Sequence, residues 1–181
     1  MYKKKLSELF KTIGNLLERE AIFIKNIILV LIMLLCVSCS SVNMQDRKIS
    51  KYFRLKEAIY SNTAKKYGIK NIPSNSEYKN IIYTATRMDE VRKALKTQVY
   101  VTSWYRNKNV NKKVKGSSNS YHRAGLAVDF KIKGKAKYIR KKLDKAKISY
   151  DQLIYYPRQN RMHISFKKSK MQERKQYLVK R

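Results

Sequence analysis

The sequence predicts an α+β domain, a small antiparallel sheet backed by helices, on three observations. Two helix-patterned segments precede any strand-like run, the strand-like runs are short and rich in β-branched and aromatic residues, and the last two are joined by a tight turn over 157–161. The chain has 181 residues, 43% hydrophobic and 11% aromatic, enough to bury one ordinary core, which excludes wholesale disorder.

Residues 50–66 place Phe53, Ala58, Ile59 and Ala64 among Lys and Arg, the pattern of one amphipathic packing helix that ends before Gly68. A turn cluster over 71–76 follows. Ser76 with Glu77 opens a second helix, in which Ile81, Ala85, Met88, Val91 and Leu95 recur at helical spacing. Residues 98–103, Gln-Val-Tyr-Val-Thr-Ser, read as the first strand, 107–115 as a polar loop or short helix, and 116–120 as a flexible loop. A second strand covers 126–132, and a very basic helix 135–146 carries Tyr138, Ile139 and Leu143 on its apolar side. Strands over 151–156 and 162–166 make the closing hairpin, and the remainder, 167–181, is expected to be a basic helical tail.

Ahead of the domain, Ile27 to Val37 is an unbroken apolar run preceded by Lys25 and by Lys3, Lys4 and Lys5, the pattern of a signal-peptide core. A spanning helix wants about 20 apolar residues, and this run is shorter. Its end, Leu35-Cys36-Val37-Ser38-Cys39-Ser40, resembles a bacterial lipobox, so residues 1–38 are expected to be a lipoprotein-type leader. Cys39 is then the lipidated first residue of an exported protein anchored in the cell envelope. Residues 39–50, rich in Ser, Asn, Gln and Asp, suit a tether to the domain at 51–166. Both cysteines, Cys36 and Cys39, lie in the leader region, so the domain holds no disulfide.

Lys and Arg number 43 against 12 Asp and Glu, a formal net charge of +31. The partner of such a chain is a polyanion or an anionic surface, whether lipid headgroups, wall polymers or nucleic acid. No helix-turn-helix, zinc-finger or stacking-strand signature accompanies the charge, so nucleic acid is not expected.

The chemistry concentrates on few residues. The two histidines are His122 and His163, and Asp129, seven residues after the first, is the sole acidic residue between Glu90 and Asp144. A carboxylate among Ala127, Val128 and Phe130 needs a partner. Two imidazoles and one carboxylate make a three-ligand set suited to catalytic Zn2+, with a fourth position left for water. On spacing alone, two solvated histidines and an Asp paired with a lysine fit as well.

Three stretches, Val101-Thr-Ser-Trp-Tyr-Arg106 continuing through Val110-Asn111 to Gly116, Ser120-Tyr-His-Arg-Ala-Gly-Leu-Ala-Val-Asp-Phe130, and Tyr150-Asp-Gln-Leu-Ile154 with His163-Ile-Ser165, resemble the zinc D-alanyl-D-alanine carboxypeptidases. That family acts on peptidoglycan stem peptides and shares its fold with the hedgehog signalling domain. The resemblance spans 77–166 and implies His122, Asp129 and His163 as metal ligands, Arg106 as a substrate-binding and catalytic guanidinium, and Ser120 as a substrate contact. Gly125 is expected to allow a tight turn between ligand loop and strand.

Two departures stand out. Trp104 occupies the place where the family usually has Gly, and a large ring there is expected to reshape the substrate cleft. Asn160 stands where relatives often place an acidic general base, which leaves Asp151 as the local carboxylate for that role; a hairpin centred near Gln159 pairs His163 with Tyr155 and puts Asp151 on the same face, but roughly 13 Å away. The motif around His122 is also similar to phage L-alanyl-D-glutamate endopeptidases, so a bond inside the stem or cross-bridge is the alternative substrate. A catalytically inactive wall-binding module is a further alternative. The protein is expected to act as a monomer on peptidoglycan stem peptides, held to anionic lipid or wall polymers by its basic surface.

Overall fold

The computed structural model describes residues 14–29, 31 and 44–181. The chain divides into two compact units, Met1–Met44 and Gln45–Arg181. In the first, residues 14–29 form a helix, α1, with exposed side chains. No helix among the described residues is long and apolar enough to cross a membrane. Most of the expected signal-peptide core, and the lipobox with Cys36 and Cys39, lie outside the described residues.

The second unit begins with two short helices, α2 (Leu55–Ile59) and α3 (Asn62–Lys66), where the sequence pattern suggested one. The break is Tyr60 in an extended conformation, followed by Ser61, whose hydroxyl accepts from the Ala64 N–H. A serine that can cap a new helix competes with continuing the old one. Helix α4 (Asn75–Leu95) starts at Ser74, two residues earlier than expected, because Ser74 and Glu77 form a reciprocal capping box. Its Ile81, Ala85, Met88, Val91 and Leu95 are all buried, the four larger ones each worth about 1.5–3 kcal/mol of apolar burial.

Strand β1 (Val99–Ser103), helix α5 (Lys108–Lys113), strand β2 (Ala127–Ile132), a 3-10 turn with helix α6 (Ile139–Lys145), and the β3 (Gln152–Tyr156) and β4 (Arg161–Ser165) hairpin follow. With a final strand β5 (Gln176–Val179), they form a sheet in the order β1-β2-β4-β3-β5, antiparallel except for its last pair. Side-chain alternation divides it into two faces. Val128, Phe130, Leu153, Met162 and Ile164 join the buried residues of α4 and α6 in the core. The opposite face carries Ser103, Asp129, His163 and Ile154, aligned across four neighbouring strands by the register Ser103↔Asp129, Asp129↔His163 and Ile154↔His163.

The tail expected to be helical is instead a 3-10 turn (Lys170–Gln172) and a fifth strand, β5 (Gln176–Val179), parallel to β3. Two ion pairs hold it. Glu173 receives the Arg87 guanidinium at 3.0 and 3.1 Å, and Arg174 donates to both oxygens of Asp151 at 2.9 and 2.7 Å. Arg87 is 2% exposed and lies 4.6 Å from the Phe166 ring centre. A segment whose glutamate and arginine each find an oppositely charged partner in the domain follows them into the sheet rather than coiling alone.

Candidate metal centre

Asp129 and His163 are direct cross-strand partners, so their side chains meet on the outer face of the sheet. His163 Nδ1 lies 2.9 Å from Asp129 Oδ1. His122 enters from the turn that precedes β2. That turn is tight because Gly125 adopts φ +77°, and a Cβ there would stand 2.8 Å from Ile81 Cγ1 and 3.2 Å from the Glu77 carbonyl. The tight turn is the one expected of Gly125, and its close approach to α4 is added by the structure.

The His122 ring is fixed at its far side. Its Nδ1 lies 2.7 Å from the Trp104 carbonyl, which accepts the Nδ1 proton and leaves Nε2 as a bare nitrogen facing the centre. Nε2 is 3.2 Å from His163 Nδ1 and 3.4 Å from Asp129 Oδ1. Three donor atoms therefore form a triangle with edges of 2.9, 3.2 and 3.4 Å. Tetrahedral zinc with bonds of 2.0–2.1 Å requires ligand atoms about 3.3–3.4 Å apart. The residues fit the ion in number, chemistry and spacing, and His122, Asp129 and His163 are the group of His, Cys, Asp and Glu that could hold a metal among the described residues.

Electrostatics agree with ligand duty. Burial pushes the His122 imidazole below its ordinary value, against the pull of Asp129, which keeps it neutral. Burial would raise the Asp129 carboxyl, but its polar contacts, the His163 hydrogen bond among them, outweigh it and hold it well below the usual carboxylate range. Its second oxygen is also engaged: Oδ2 accepts from Arg106 Nη2 at 2.8 Å and pairs with Arg161 Nη1 at 3.0 Å.

Arg106 is thus next to the centre, its Nε anchored on Ser103 Oγ at 2.9 Å. Ser120 lies two residues before His122, half-buried, in a loop pinned by Asn111, whose Nδ2 donates to the Gly116 and Ser117 carbonyls at 3.2 and 2.9 Å. A Cβ at Gly116 would sit 2.3 Å from Asn111 Oδ1, so any larger residue there would displace the Asn111 side chain.

Other expectations are corrected. Asp151 does not approach the centre: His163 pairs with Ile154, not Tyr155, and this shift of one residue turns Asp151 to the opposite face, where Arg174 holds it. Burial opposes ionisation of Asp151, but the Arg174 hydrogen bonds prevail and keep its carboxyl below the usual range. Asn160 is structural as well; at φ 45° it accepts from Ala136 N at 2.9 Å and donates to the Gly134 carbonyl at 2.8 Å. Trp104 does not line a cleft with its ring. It is fully buried edge-on to Phe53, with its indole N–H on the Gly125 carbonyl at 3.0 Å.

Arg161 is the neighbour that sequence reasoning passed over, read there only as part of a turn. A strand places residues two apart on one face, so an arginine at that spacing before His163 was the available signal.

No curated protein matches the chain. The family model of peptidase M15 matches residues 51–165, a stretch that contains all three donors, Arg106 and Arg161 and stops short of β5. By this match over more than half of its length, and with a histidine, aspartate and histidine set that fits the zinc on which the family depends, the chain belongs to the peptidase M15 family.

Proposed function

We propose that this protein is a zinc peptidase of peptidoglycan that removes the terminal D-alanine from D-alanyl-D-alanine stem peptides. The observation that carries the reading is the triangle of His122 Nε2, His163 Nδ1 and Asp129 Oδ1, which matches the edges of a tetrahedral zinc site in a family of metallopeptidases.

Zinc held by these three residues supplies Lewis acidity toward the scissile carbonyl and a water nucleophile active near neutral pH. The chain supplies orientation and charge. The Trp104 carbonyl holds the proton of His122 on Nδ1, so the imidazole cannot rotate away from the centre. Arg106, anchored through Nε, presents the rest of its guanidinium beside the donors, where it stabilises negative charge developing on the carbonyl oxygen. Ser120, on the loop pinned by Asn111, hydrogen-bonds the peptide backbone of the substrate. We further propose export, with lipidation at Cys39 keeping the domain at the membrane beside its substrate, and a basic surface that retains anionic lipid or wall polymers.

A second reading has support from one observation. Asn160 and Asp151, the positions from which a carboxylate base was expected, are committed to the loop before α6 and to Arg174. A wall-binding module that keeps the metal centre without turnover would look the same. The deciding experiment incubates the purified protein with peptidoglycan, with and without a chelator, and identifies released stem peptides by mass spectrometry. Loss of terminal D-alanine, abolished by chelator and by His122→Ala, is the expected result. Cleavage within the stem or cross-bridge would make the protein an endopeptidase, and a folded, zinc-loaded protein that releases nothing would be the binding module.

A further inference from the structure

Both oxygens of Asp129 are spoken for, but by opposite kinds of group. Oδ1 faces His122 Nε2 and His163 Nδ1, while Oδ2 is shared by the Arg106 and Arg161 guanidiniums. The two arginines are held differently. Arg106 comes from the segment after β1 and has one side-chain tether besides Asp129, the Ser103 hydroxyl. Arg161 stands on β4, two residues before His163, with its Nε on Gln159 Oε1 at 2.8 Å and its guanidinium 3.9 Å from the centre of the Tyr156 ring. Tyr156 is the cross-strand partner of Arg161. A guanidinium fixed by an amide, an aromatic face and a carboxylate has little rotamer freedom left.

We infer that Arg161 is the positioning residue of the metal centre, the permanent anchor of Asp129 Oδ2 that keeps Oδ1 turned toward the two histidines and leaves Arg106 free to engage substrate. This rests on the zinc reading above. A carboxylate with one oxygen unheld rotates about its terminal bond, and the two oxygens then exchange places before the imidazoles. Were Arg106 alone on Oδ2, each encounter of its Nη2 with a substrate oxygen would release the ligand it steadies. With Arg161 in place, the turn of Arg106 toward substrate costs Asp129 one of two charge-assisted bonds rather than its only one.

The test compares the wild-type protein with Arg161→Ala, Arg161→Lys and Arg106→Ala, all stripped of metal. Zinc affinity is measured by competition with a chromophoric chelator, and the visible spectrum of the Co2+ form reports ligand geometry. Removal of a cation by itself favours a dication, so a fall in affinity can only report lost orientation. Arg161→Ala is expected to bind zinc about 10–100-fold more weakly with an altered cobalt spectrum, Arg161→Lys to recover part of the loss, and Arg106→Ala to bind zinc much like wild type. Should Arg161→Ala prove unfolded by circular dichroism, the lysine and Arg161→Gln variants carry the same comparison. Unchanged or tighter zinc binding with an unchanged spectrum in the folded Arg161 variants would overturn the inference while leaving the metal centre intact. Failure of the wild-type protein itself to take up zinc would overturn both the inference and the reading on which it rests.

Discussion

Arg106 meets two demands in the proposed mechanism, since its Nη2 holds Asp129 at 2.8 Å and the same guanidinium is proposed to stabilise the carbonyl oxygen of the substrate. Loss of one such donor typically costs about 10²–10³ in rate. Arg106→Ala is therefore expected to lower kcat/KM on a D-alanyl-D-alanine peptide by that factor while zinc content, measured by atomic absorption, stays at one per chain. Arg106→Lys restores only part of the rate, because an ammonium offers no planar fork. At this scale the sequence was informative where residue types are scarce. Two histidines and one isolated Asp could be singled out and converge as expected. Arg161 could not, because one arginine among 43 basic residues carries no mark of its own until a strand register puts it beside Asp129.

At the scale of elements, the lesson lies in register. Helix α4 and the first four strands could be read from periodicity to within a few residues, but the break between α2 and α3 and the pairing of β3 with β4 could not, and a slip of one residue reversed the face assigned to Asp151. The last strand was unreadable for a different reason: Gln176–Val179 is too short to show alternation, and what places it is a pair of long-range ion pairs, Glu173 with Arg87 and Arg174 with Asp151. The second pair makes β5 sensitive to acid. The Asp151 carboxyl is depressed in the folded protein, so its contribution to stability is fully present above the unfolded value of about 3.9 and is lost as pH falls through the lower folded value. Thermal unfolding followed by circular dichroism should show Arg174→Ala melting below wild type at pH 6–7, with the gap closing below about pH 4. A gap that stays constant with pH would assign Arg174 a packing role instead.

Over the whole molecule, charge dominates. Taking Cys39 as the first residue of the mature protein leaves 37 basic and 9 acidic residues, a formal charge of +28. Two independent attachments to the envelope follow from the proposed reading, one covalent and one electrostatic. In cells the full chain is expected to sediment with membranes, and Cys39→Ala to lose its lipid label and much of that association. What remains bound should be released as salt rises from about 0.1 to 1 M, where the screening length shrinks from about 10 to 3 Å. A Cys39→Ala protein that stays membrane-bound in high salt would point to the apolar run itself as the anchor.

The position of β5 at the end of the sheet has a consequence for how copies of the protein behave in company. Its outer edge is a row of backbone donors and acceptors facing away from β3, the kind of border on which another chain can build an amyloid-like ladder. Here the border is four residues long and is bracketed by Lys175 on one side and by Lys180 and Arg181 on the other. A second chain approaching in register would bring the same three cations against them. The basic tail thus closes this side of the sheet with a strand that repels its own likeness.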